Sequence, residues 1–273
     1  MASNGAVAIL YSTVGGFGDV GKCAVMHARR MNARVCVVAM HSGTFKQAVP
    51  TVTGAESTDI TYPELHKQVC DALGDLSPEK ATDEWSFNEI DVDDAPAAQK
   101  TLQDVLQKGS VQAVIACLAS RQPELPRWLA KGASVTCAAM NAAGVQRLVL
   151  LSSMGIGDDF MPFTGIRVLW AFLLRTLMRS VHADLLAMEA EVVENEQNKC
   201  IDYLLVRPVG ITPSEPPAGK WKILRSREDG VFAGYNGRMG GYDISKADVA
   251  QFMLQEALTP TLHRTAVTIG PAE

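Results

Sequence analysis

The chain has 273 residues, 47% hydrophobic and 20% charged, with a formal net charge of −5 at pH 7. That composition belongs to a soluble globular chain with ample core and excludes a disordered or fibrous one, and the acidic balance argues against nucleic acid as a partner. Six cysteines stand singly, with no C-x-x-C pair and no metal-ligand spacing, so no metal site is expected and a reducing, cytoplasmic location is.

Met1 to Gly5 holds neither a basic segment nor a signal-type hydrophobic run. An apolar strand starts at Ala6, passes into a glycine-dense turn, and leads to a helical pattern ending near Met31; a second apolar run, Arg34 to Met40, follows. Strand, tight turn, helix and strand within about 35 residues form the βαβ unit of a dinucleotide-binding domain. Glycine suits the turn because a Cβ would keep the backbone from a pyrophosphate, which the helix N-terminus would face with free N–H groups. Two registers fit. One takes Gly15, Gly18 and Gly21 as the three glycines; the other starts at Ser12 and continues with Gly15 and Gly18, at the cost of a longer helix. Gly16 and Phe17 lie in the loop in both.

From His41 to Glu84 the pattern is irregular, an insertion (41–84) with one helix near Pro63–Leu73. Ser86 to Val92 reads as a third strand, Ala95 to Gln107 as a helix, and Val111 to Leu118 as a fully buried fourth strand. Leu125 to Ala143 is helical, with Gly144 as its C′ glycine, and Gln146 to Ser152 is the fifth strand. Phe160 to Val181 is strongly apolar, but Arg167, Arg175 and Arg179 interrupt it, and arginine at a bilayer centre is costly. No membrane span is expected there. The arginines line one helical face, which suits an amphipathic helix covering a pocket, an oligomer contact through 160–181, or a membrane surface. Ala183 to Glu196 is a helix, Ile201 to Val206 a sixth strand, Ser245 to Ala257 a late helix and Thr265 to Ile269 the last strand. The expected architecture is α/β: one domain, 1–273, built on a doubly wound parallel sheet (Rossmann fold) with a small C-terminal substrate-side region. Segments 154–182 and 210–244 would be substrate-side lids.

In such a sheet a ligand sits beyond the carboxyl ends of the strands. Those ends carry Ser12 to Gly18, Met40 to Ser42, Asp91 and Val92, Leu118, Ala119 and Ser120, Ser152 to Met154, and Arg207 to Val209. Asp91 suits a helix cap equally, and Ser152 and Ser153 suit turn backbone groups.

The glycine turn, Asp91-Val92, Leu151-Ser152-Ser153-Met154-Gly155 and Val206-Arg207-Pro208 together resemble the atypical short-chain dehydrogenase/reductase superfamily. Asp184 to Glu189, Ala218 to Ile223 and Ile244 to Leu254 make it similar to the NAD(P)H-binding group that contains biliverdin-IXβ reductase/flavin reductase and the nitrogen-metabolite-repressor-like proteins. The resemblance implies that the glycine loop holds the pyrophosphate, Asp91-Val92 the adenine and Leu118 to Ser120 the ribose. It places Ser152, Ser153, Pro208 and Val209 by the nicotinamide. Many members of the superfamily use a Tyr-x-x-x-Lys pair on the helix after the fifth strand, where lysine lowers the tyrosine pKa. That helix here offers His182, Asp184, Met188 and Glu189 instead. Tyr242 to Lys246 matches the pattern but lies on the approach to the late helix, where Ser245 reads as an N-cap.

The expected activity is therefore NAD(P)H-dependent reduction of a flat conjugated acceptor (flavin, quinone or tetrapyrrole-like) by direct hydride transfer. A non-catalytic dinucleotide sensor or scaffold is the alternative, and a sugar-nucleotide epimerase or dehydratase a third. Ser153 and Asp184 are the candidate catalytic residues. His182 shares with Asp184 the role of proton relay, against which stands Asp184 as a cap or an ion-pair partner of Arg179. The second strand ends at Met40 without the carboxylate that favours NAD or the arginine that favours NADP. NADP is the preferred form, with Ser42 and Lys46 as candidate phosphate contacts, although Lys46 suits an ordinary solvated lysine equally.

Overall fold

A computed structural model of the chain describes residues 6–12, 19–31, 33–41, 85–118, 127–156, 179–212, 219–226 and 243–272. Strands and helices alternate: β1 (Ala6–Ser12), α1 (Asp19–Arg30), β2 (Arg34–His41), β3 (Trp85–Asp91), α2 (Ala95–Lys108), β4 (Val111–Cys117), α3 (Trp128–Ala143) and β5 (Arg147–Leu151). There follow α4 (Arg179–Val193), β6 (Asp202–Pro208), β7 (Gly210–Thr212), β8 (Trp221–Ser226), β9 (Asp243–Ser245), α5 (Lys246–Leu258) and β10 (Thr265–Pro271).

One eight-stranded sheet runs β3-β2-β1-β4-β5-β6-β10-β8. All its pairings are parallel except β10 with β8, and the strand order reverses between β1 and β4. This is the expected doubly wound Rossmann-type architecture. The strands are buried on both faces because helices cover both. β1 sends Val7, Ile9 and Tyr11 to the layer of α1 and α5, and Ala8 and Leu10 to the layer of α2, α3 and α4. Every position of β4 except Gln112 is buried. Cys36 and Cys117 take the core places expected of them, and burial pushes the Cys117 thiol up to about 12.

Element ends follow local chemistry. Asp94 caps α2 by accepting from the Ala97 N–H at 3.2 Å. Gly144 ends α3 at φ +74°, a left-handed conformation that glycine adopts without strain. Ser245 caps α5 through the Asp248 N–H at 2.9 Å, and Asp248 in turn accepts from the Gly219 N–H at 2.8 Å. Three strands escaped the sequence reading. β7 and β9 form a small parallel pair of three residues each, too short for a period to register. β8 is an antiparallel edge added outside the βαβ alternation.

At the amino-terminal edge of the sheet, buried Arg147 ties β5 to its neighbours. Its guanidinium donates to the Glu256 carbonyl at 3.0 and 3.1 Å, to the Leu262 carbonyl at 2.9 Å and to Asp202 Oδ2 at 3.1 Å. Among the described residues no helix is long and apolar enough to cross a membrane. The 160–178 part of the apolar segment, most of the 41–84 insertion and much of both lid segments fall outside the described residues.

Candidate active site

Gly21, in the first turn of α1, is where the helix meets the sheet most closely. A Cβ there would stand 3.1 Å from the Tyr11 Cβ and 3.5 Å from the Cys117 Cβ. This close helix–strand approach is the task of the third glycine in a dinucleotide-binding turn, so it favours the register Gly15, Gly18, Gly21. It also brings the N-terminus of α1 to the carboxyl end of β1, next to the switch point. Gly15, Gly16, Phe17 and Gly18 themselves lie outside the described residues, as do Ser42, Lys46, Ala119 and Ser120. Of Ser12 the backbone alone is described, as the last residue of β1 opposite Met40. Gly21→Val is expected to cost about 1–3 kcal/mol by overpacking against β1, read as a lower urea midpoint, and to weaken dinucleotide binding by tilting α1 off the sheet.

At the ends of β2 and β3 the structure corrects one expectation. Met40 is 0% exposed, and its side chain belongs to the core between the sheet and α3. Its side chain is therefore closed to a ligand. The residue that faces outward is His41, whose side chain is 30% exposed with Nε2 3.4 Å from Glu89 Oε1 on β3. Strand alternation explains the swap: Val38 and Met40 share one face, and His41 takes the other. Asp91 sits beside His41 in register. Its Oδ1 accepts from the Asp93 N–H at 3.0 Å, so it shapes the turn after β3 and leaves the capping of α2 to Asp94. Val92 is buried, and its N–H donates to the His41 carbonyl at 2.9 Å. Leu118 is buried too, and a Cβ on Gly132 of α3 would stand 3.0 Å from its Cδ1.

Asp184 has a structural task. Residue 127, at the start of α3, is an arginine with φ +58° and no side-chain cap of its own. The cap comes from α4 instead: Asp184 Oδ2 accepts from the Leu129 N–H at 2.9 Å and Oδ1 from the Ala130 N–H at 3.2 Å. The proton-relay expectation for Asp184 gives way to the capping one, since both oxygens serve the helix N-terminus. Burial, the largest influence, raises its pKa above the usual 3.8, against the lowering by the N–H groups of Leu129, Ala130 and Trp128. A raised folded-state pKa means that stability is full at low pH and is lost as pH climbs from about 4. Urea titrations of wild type and Asp184→Asn across pH should therefore show the non-ionisable variant gaining on wild type as pH rises.

The ends of β5 and β6 hold a network that the sequence reading did not assemble. Arg207 on β6 donates from Nη2 to Glu189 Oε2 at 2.6 Å and from Nε to Oε1 at 3.0 Å. Ser152 Oγ, just past β5, donates to the same Oε1 at 2.5 Å. All three residues are buried. The backbone continues the pairing beyond the strands: the Ser152 N–H donates to the Val206 carbonyl at 2.7 Å and the Met154 N–H to the Pro208 carbonyl at 3.1 Å. Val209 donates to the Ile269 carbonyl at 3.0 Å. Ser153 is half-buried, and its hydroxyl makes a long 3.4 Å contact to the Met154 carbonyl. The detectable signal was on α4, where Asp184, Met188, Glu189 and Val192 share one helical face. Carboxylates on a core face require partners.

The carboxyl ends of β2 and β3 thus carry His41, Glu89 and Asp91, the α1 N-terminus stands by the end of β1, and Ser152, Ser153, Pro208 and Val209 lie at the ends of β5 and β6. Among the described residues no cluster of three His, Cys, Asp or Glu side chains suits a metal ion.

A family model described as NAD(P)H-binding matches residues 77–260, from just before β3 to just past α5. No match is found among curated proteins. Similar solved structures include ChuY, an anaerobillin reductase from Escherichia coli O157:H7, at 18% identity and TM-score 0.56 over 96% of each chain. A Streptococcus pneumoniae protein with NADH-flavin reductase as its proposed activity matches at 14% identity and TM-score 0.56, covering 97% of this chain and 99% of that one. A short-chain dehydrogenase/reductase from Veillonella parvula matches at 10% identity and TM-score 0.60, over 98% and 94%. At these identities the likeness is one of fold.

Proposed function

The chain belongs to the NAD(P)H-binding family, and from that premise we propose that it is an NAD(P)H-dependent reductase of a flat conjugated acceptor such as a flavin, a quinone or a tetrapyrrole. The carrying observation is the strand–turn–helix unit closed by Gly21, whose missing Cβ lets α1 press on β1. That approach fits a dinucleotide, because it aims the free N–H groups and positive dipole end of α1 at the place of a pyrophosphate. Bound there, a reduced nicotinamide supplies hydride.

The chain's own residues then bind and orient. In this proposal Ser152, Pro208 and Val209 wall the far side of the crevice, and among the described residues there the Ser153 hydroxyl is the polar group left to orient an acceptor. Among the described residues Asp184 and Glu189 are committed to α3 and to Arg207; in this proposal the proton follows from solvent, with half-buried His182 as the other candidate relay. Electron-poor acceptors tolerate this, because hydride can add before the proton. Steady-state oxidation of NADPH and NADH with FMN, a benzoquinone and a bilin tests the reading; turnover with at least one supports it, and inertness with all overturns it. The same commitment of both carboxylates favours a second reading, a non-catalytic dinucleotide sensor. Tight binding that discriminates oxidised from reduced cofactor, without turnover, would mark it.

NADP(H) is the preferred form in this proposal, because β2 ends without a carboxylate to repel a 2′-phosphate. Glu89, held near His41, and Asp91, beside His41 in register, are the opposing charges. Glu89→Gln should tilt preference further toward NADPH over NADH by about 0.5 kcal/mol, a size typical of exposed charges, and less at high salt. Competitive titrations at two ionic strengths measure it. Among the described residues the thiols of Cys36, Cys117, Cys137 and Cys200 stand outside any disulfide, which supports a cytoplasmic location in this proposal.

A further inference from the structure

We infer that Glu189 and Arg207 are positioning residues: a buried ion pair that sets the nicotinamide-side wall of the cofactor crevice through Ser152 and the end of β6. The inference rests on the proposed dinucleotide site and concerns a role within it.

Both residues are 6% exposed, and both charges have left water to reach this place. Burying an ion pair brings little net stability, since apolar residues of similar size often serve as well. Its distinctive product is geometry. The planar guanidinium takes both carboxylate oxygens at 2.6 and 3.0 Å, a two-point contact that fixes direction as well as distance. Glu189 Oε1 accepts from Ser152 Oγ as well, at 2.5 Å, so the hydroxyl is turned toward α4 and held there.

Three elements meet at this one carboxylate: α4 through Glu189, β6 through Arg207, and the residue after β5 through Ser152. The backbone bonds from Ser152 to Val206 and from Met154 to Pro208 then carry the fixed geometry to Pro208 and Val209. All of this lies at the carboxyl ends of β5 and β6, on the opposite side of the switch point from His41 and Glu89. A dinucleotide with its pyrophosphate at α1 and its adenosine by β2 and β3 would extend its other half to this wall. The pair therefore acts on that half alone.

Charge removal by one substitution would leave a buried ion unpaired, so the test replaces both partners. The double variant Glu189→Met with Arg207→Met preserves volume and is expected to fold. Ser152→Ala is the milder companion, which breaks the link to the β5 end and keeps the pair. Wild type and both variants are titrated with the reduced dinucleotide that wild type prefers. They are titrated in parallel with the matching ADP-ribose, 2′-phosphorylated where NADPH is preferred, which lacks the nicotinamide. The expected result is a loss of about tenfold in dinucleotide affinity for the double variant, a smaller loss for Ser152→Ala, and ADP-ribose affinity within about twofold of wild type in both. Equal loss of the two ligands, or no loss of either, overturns the positioning role and leaves the cofactor site standing. If wild type binds neither ligand, the functional proposal falls and this inference falls with it.

Discussion

Arg207→Ala is expected to lower stability by about 3–5 kcal/mol, the usual consequence of stranding one member of a buried ion pair. Domains of ordinary stability hold about 5–15 kcal/mol in all, so the variant would sit near the margin of folding. The cause is Glu189, which would keep only the Ser152 hydroxyl while remaining 6% exposed. Chemical unfolding of purified protein measures the effect, and a second change tests its origin. Glu189→Gln in the Arg207→Ala background should recover part of the loss, because the stranded charge is gone; the coupling between the two sites is what a double-mutant cycle reads. A loss below about 1 kcal/mol would indicate instead that water reaches the carboxylate on Arg207 removal.

Arg147→Ala should cost a comparable amount, about 3–5 kcal/mol, with a different functional outcome. Arg147 is also 6% exposed, and burial is the largest influence on its guanidinium, lowering a pKa that Asp202 and Glu256 raise. Its donors end on two backbone carbonyls, on Asp202 and, at 3.4 Å, on Glu256 Oε2. Glu256 meanwhile accepts from the Thr261 and Leu262 N–H groups at 3.0 and 3.1 Å, so the cluster locks the end of α5 to the approach of β10. Loss of Arg147 leaves the Glu256 and Leu262 carbonyls without these donors. Arg147→Lys should recover only part of the loss, since an ammonium cannot reproduce the fork. The cluster lies at the amino ends of the strands, away from the crevice. Dinucleotide affinity per folded molecule should therefore stay within about twofold of wild type. Calorimetric unfolding with a binding titration of the same sample separates the two readouts.

Much of the fold was legible because its signals are local. Apolar runs such as Val111 to Cys117, caps such as Ser245 and the C′ glycine Gly144 each act within a few residues, and the structure places all of them as expected. The glycine turn left two registers open, and only the contact of Gly21 with Tyr11 across α1 and β1 favours one. The burial of the Met40 side chain was hidden for a related reason: β2 is buried along nearly its whole length, so hydrophobicity does not reveal which face a side chain takes. The tasks of Asp184 and Glu189 were less accessible. Their partners lie 55 and 18 positions away in sequence, on a different helix and on a strand, and no spacing rule connects them. β8 escaped because an antiparallel edge strand depends on β10 beyond it rather than on a crossover helix.

The most direct test of the dinucleotide site is calorimetric titration of wild type with NADPH, NADP⁺, NADH and NAD⁺, repeated on Gly18→Asp. Micromolar binding of one oxidised–reduced pair, on the order of −8 kcal/mol, abolished by a carboxylate placed in the glycine loop, is the predicted result. Absence of binding to all four, or binding indifferent to the substitution, would contradict it.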